Sequence, residues 1–145
     1  MRLLPIVADT ALLDFNLFIA SQAKAVERHS PEACVELFFP TGKVTNAMAS
    51  LPKEFVTREL EILTEMIRTS DSRNARRFST AELATIIKQV LGRLTQEQIR
   101  LLASGQLRAA SPKDSCDAVI AYLNVMNDIP KSERARSLRA VYSSK

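Results

Sequence analysis

The chain has 145 residues, 46% of them hydrophobic and 25% charged, with a formal net charge of +4. That is the size and composition of one ordinary globular domain over residues 1–145, able to bury roughly 70% of the surface its unfolded form exposes; it argues against disorder along the whole chain and against a fold that needs metal merely to close. The small basic excess permits an acidic partner without requiring one, and no apolar run approaches the roughly 18 residues of a membrane span.

Three glycines and no tryptophan are few for a β-protein with many tight turns, while Ala, Leu, Arg, Glu and Lys favour helix. Met1 to Val7 begins like a secretory leader, but Asp9 and Asp14 interrupt it before an apolar core of roughly 7–15 residues can form, so no address is expected there.

Seven helices are expected in chain order. The first runs from Asp9 to His29. Leu12, Phe15, Ile19, Ala23 and Val26 form its apolar stripe, and Leu13, Leu17 and Phe18 widen it, as in a central helix touched by several neighbours. Ser30 caps the second helix, Pro31 opens it, and it ends before Pro40. Thr41 to Ser50 reads as a loop, with Gly42 and Asn46 as turn residues. The third helix spans Leu51 to Thr69, with Val56, Leu60, Leu63 and Ile67 as its expected core seam.

Ser79-Thr80-Ala81-Glu82 is a capping-box sequence that starts the fourth helix, whose apolar face is Leu83, Ile86, Ile87, Val90, Leu91 and Leu94. Thr95-Gln96-Glu97-Gln98 is a second such box, so a very short turn leads to a fifth helix that stops near Gly105. Ser111-Pro112 opens the sixth, with Val119, Ile120, Leu123 and Met126 inward. Asp128-Ile129-Pro130 ends it and starts the seventh, which carries Ala135, Leu138, Val141 and Tyr142. No segment alternates with period two. The expected fold is an all-α irregular bundle of about seven helices around a central first helix.

Cys34 and Cys116 are the only cysteines, 82 residues apart, which excludes a CxxC motif. With His29 the only histidine, no structural zinc set exists. The two sulfurs are either a disulfide or two buried thiols. Each follows a Ser-Pro helix start, and this matched placement favours the disulfide, which would imply a periplasmic or secreted protein; without it the protein would be cytoplasmic. A Cys34–His29 dyad has no evident orienting group, and a histidine in a last turn also simply complements the helix dipole.

No Gly-rich phosphate loop or G-x-S-x-G motif is present. The acidic pairs Glu59/Glu61 and Asp114/Asp117 read as solvated helix faces rather than general acid–base groups. No cofactor is expected. Arg73, Arg76 and Arg77, with Phe78, form one basic cluster; Lys131, Arg134, Arg136, Arg139 and Lys145 form another, which a solvated C-terminal helix would explain. Helices four and five, over residues 80–104, faintly suggest helix-turn-helix spacing, but the fifth offers little positive charge for phosphate contact.

These readings favour a non-enzymatic protein-interaction or scaffolding module. A DNA-binding regulator and an enzyme with an unrecognised site are the alternatives. The expected partner is a protein, met by Arg73, Arg76, Arg77 and Phe78, with Lys43, Val44 and Met48 of the other long loop as further contacts.

Overall fold

The structure is a computed structural model that describes residues 4–38, 49–103, 107 and 109–143. Among the described residues there are seven α-helices and no strand. They are α1 (Asp9–Glu27), α2 (Pro31–Phe38), α3 (Lys53–Arg68), α4 (Thr80–Leu91), α5 (Gln96–Ala103), α6 (Pro112–Asp128) and α7 (Lys131–Ser143). Short 3-10 turns at Leu4–Ile6 and Ser72–Asn74 complete the set. Gly42, Lys43, Val44, Asn46, Met48 and Gly105 lie outside the described residues.

The helix starts follow local side-chain chemistry. Ser30 Oγ accepts from the Ala33 N–H at 3.2 Å, and Pro31 occupies the first position of α2. At α4 the capping box is complete: Ser79 Oγ accepts from the Glu82 N–H, and the Glu82 carboxylate accepts from the Ser79 N–H at 2.9 Å. Thr95 and Gln98 repeat the exchange ahead of α5. Ser111 Oγ accepts from the Asp114 N–H at the start of α6. Each bond satisfies a backbone donor that the helix itself leaves orphaned.

α1 is central. It packs against α2, α3, α6 and α7. Ala11, Leu12, Leu13, Phe18, Ala23 and Val26 are buried, while Leu17 points outward. Its alanines keep the surface low where neighbours cross. One apolar cluster gathers Leu12, Leu13 and Phe18 with Ile62, Met66, Met126 and Leu138. A second joins Ala20 and Ala23 to Leu101, Val119 and Leu123 around Cys34 and Cys116. Ile19 and Tyr122 pack against both.

Cys34 and Cys116 form a disulfide with Cα atoms 5.7 Å apart, so α2 and α6 start side by side. Both cysteines are fully buried. The bridge leaves no free thiol for a Cys34–His29 dyad.

Candidate functional site

α3 lies antiparallel on α1. The Phe18 and Phe55 rings are 6.1 Å apart, Arg58 reaches Asp14 at 3.7 Å, and the Ala8 N–H donates to Thr69 Oγ1 at 3.4 Å. Ile62 and Met66 are buried there, with Phe55 packed beside them. This corrects the expected core seam. Val56, Leu60 and Ile67 are 57%, 60% and 64% exposed, and only Leu63 of the expected four packs against the core. The helix carries two apolar stripes at helical spacing, Phe55/Ile62/Met66 and Val56/Leu60/Leu63/Ile67. α1, its principal neighbour, covers the first. The second, apart from Leu63, is an apolar ridge of Val56, Leu60 and Ile67 that runs along the outside of the helix.

The arginine loop follows the C-terminal end of that ridge. It is pinned to the N-terminal segment: the Asp71 N–H donates to the Ile6 carbonyl at 2.9 Å, and Asn74 Nδ2 donates to Ile6 and Thr69 carbonyls. Arg73 pairs with Asp71 at 2.6 Å and is otherwise open to solvent. The Arg76 guanidinium sits 5.2 Å from the centroid of the Phe78 ring and reaches Glu82 at 3.4 Å. Arg77 is exposed.

Glu82 ties this loop to α7. Its carboxylate also accepts from Arg136 at 2.6 Å. Hydrogen bonds from the Ser79 N–H, Arg136 and the Ser79 hydroxyl hold its pKa down at about 2, because each donor favours the charged form. A cleft of about 660 Å³ opens beside the loop, and Arg73, Arg76, Arg136 and Arg139 all line it. The fold thus brings Arg73 and Arg76 of one basic cluster beside Arg136 and Arg139 of the other, which the sequence keeps some sixty residues away. The arginines are largely engaged: against these four charges stand the carboxylates of Asp9, Asp71 and Glu82.

Arg139 corrects its reading as a solvated cation. It is 5% exposed. It donates to the carbonyls of Pro5 and Val7 at 2.6 and 3.0 Å and pairs with Asp9. It anchors the N-terminal segment; Arg76, Arg77 and Arg136 remain as the accessible cations of this face, with Arg73.

In the segment with helix-turn-helix spacing, α4 packs against α7 and α6, whereas α5 packs against α6. The outward residues of α5 include Gln96, Glu97 and Arg100, and Arg100 is paired with Glu97. Among the described residues no group of three or more His, Cys, Asp or Glu side chains is placed to hold a metal ion, and no helix is long and apolar enough to cross a membrane. The chain matches no protein-family model, no curated protein and no solved structure.

Proposed function

We propose that this chain is a non-enzymatic interaction module that works in the periplasm or outside the cell. Its docking surface is the ridge Val56/Leu60/Ile67 together with the adjoining loop Arg73/Arg76/Arg77/Phe78. The observation that carries the reading is the ridge. Three large apolar side chains, each more than half exposed, stand in one line on one helix. A lone exposed leucine needs no explanation, but a contiguous row is what partner surfaces present.

The fitting partner is an amphipathic helix with an apolar face at i, i+4 and i+7 spacing and acidic residues beyond one end. The apolar face would lie along the ridge, and the acids would meet the arginines. Arg and aromatic side chains such as Arg76 and Phe78 are enriched where binding energy concentrates. The buried disulfide supports the compartment, since such bonds persist in oxidising surroundings.

Photo-crosslinking in cells that make the chain natively tests the surface. A benzoylphenylalanine replaces Leu60 or Arg77 in two variants, and Lys113, near the far end of α1, in a control. The expected result is a discrete adduct from the first two and none from the third. Equal adducts from all three positions, or none from any, would overturn the reading. Trapping free thiols in the same cells checks the compartment: Cys34 and Cys116 are expected to be oxidised.

A further inference from the structure

On a different part of the molecule, α2, α4, α5, α6 and α7 surround a pocket of about 380 Å³. This is within the size range of sites that hold small organic ligands. Its wall is apolar throughout, from Phe38, Val90, Leu91 and Leu102 to Val119 and Leu123. Ile87, 45% exposed, also lines it and links it to solvent.

Among the described lining residues the only polar side-chain atoms are the hydroxyls of Tyr122 and Tyr142. Among the described residues neither hydroxyl has a hydrogen-bond partner. Both residues are half-buried and neither hydroxyl is sealed from water, so each is free to donate to an acceptor that enters the pocket. Among the described residues no Lys, Arg or His lines the pocket, and no Asp or Glu. Burial pushes the Tyr142 phenol up to about 12 and the Tyr122 phenol higher still, with Tyr142 nearby adding to the effect. Both phenols are therefore neutral donors at any physiological pH.

We infer that this pocket binds a small, uncharged, mainly apolar molecule that carries a carbonyl acceptor, such as a ketone, ester or lactone, hydrogen-bonded by Tyr122 and Tyr142. The apolar wall supplies the affinity. The two phenols supply the selectivity, because they donate to a carbonyl oxygen and an alkane offers them nothing. A carboxylate would lose its hydration here and gain no cation from the described lining in return, so the neutral ligand is preferred over its anionic counterpart.

The test uses the oxidised full chain and prodan, a neutral aryl ketone whose emission shifts to the blue on leaving water. Saturable blue-shifted emission is expected, displaced by 2-octanone and at least about tenfold less well by octanoate at neutral pH. Tyr122→Phe/Tyr142→Phe keeps both rings and removes both donors; it is expected to weaken prodan binding by about tenfold. Leu91→Trp fills the pocket and is expected to abolish binding; if that variant does not fold, the phenylalanine pair decides alone. Non-saturable emission from the wild-type chain, unchanged affinity in the phenylalanine pair, or octanoate competing as well as 2-octanone would overturn the assignment.

Discussion

The guanidinium of Arg139, on the last helix, is paired with Asp9, the first residue of α1, across 130 positions of sequence. The same side chain caps the carbonyls of Pro5 and Val7, so the N-terminal turn is held by one buried fork. Removing it strands two acceptors, the one at Val7 buried and the one at Pro5 partly so. Arg139→Met is expected to cost about 3 kcal/mol in urea-unfolding experiments. Asp9 is 68% exposed at its side chain. Asp9→Asn should therefore cost less than about 1 kcal/mol, as for other solvent-screened pairs. Equal losses from both would show that the ion pair, not the carbonyl fork, does the anchoring.

The disulfide closes a loop of 82 residues. Restricting the unfolded chain to that extent stabilises the fold by about 4.5 kcal/mol in the chain-entropy account. Cys34→Ser/Cys116→Ser is expected to fall short of the oxidised chain by that order in denaturant titrations. Loss of less than about 1 kcal/mol would mean that packing around the sulfurs holds α2 and α6 together without the bond.

Glu82 gives stability a defined acid dependence. Its folded-state pKa of about 2 lies below the ordinary 4.5, so the unfolded chain binds the proton more readily. The contribution is complete above the unfolded value and is lost as pH falls through 4.5 towards 2. Glu82→Gln cannot titrate. Its loss of melting temperature over that interval is expected to be shallower than that of the wild-type chain, with the two curves parallel near neutrality.

The two faces of α3 should separate cleanly. Ile62→Ala or Met66→Ala empties buried volume and is expected to cost about 2–5 kcal/mol. Val56→Ser, Leu60→Ser and Ile67→Ser should each stay within about 0.5 kcal/mol of the wild type, as exposed substitutions do. Chemical denaturation of the five variants checks the division. A core-sized loss at Leu60 would place the ridge in the interior.

The helix starts were legible because their causes are local. Ser79 and Glu82, Thr95 and Gln98, and Ser111 with Pro112 lie within one turn of the donors they satisfy. The disulfide was legible as a favoured pairing from two cysteines placed alike after Ser30-Pro31 and Ser111-Pro112. The inward face of α3 was not. Periodicity shows that Val56, Leu60, Leu63 and Ile67 share a stripe, but it does not say on which side α1 lies. Arg139 was missed because its acceptors, Pro5 and Val7, are more than 130 residues away. The joining of Arg76 and Arg136 through Glu82, and of Tyr122 and Tyr142 around one pocket, is likewise a product of packing, which neither local pattern nor composition encodes.

The outward ridge of α3 is proposed to bind and not to build. Its most direct test is the affinity of the partner captured through Leu60 and Arg77, measured by titration against the wild-type chain and against Val56→Ser/Leu60→Ser/Ile67→Ser, with melting curves of both. Affinity is expected to fall by at least about tenfold while the melting temperature stays unchanged. Undiminished affinity in the triple variant with normal melting would contradict it.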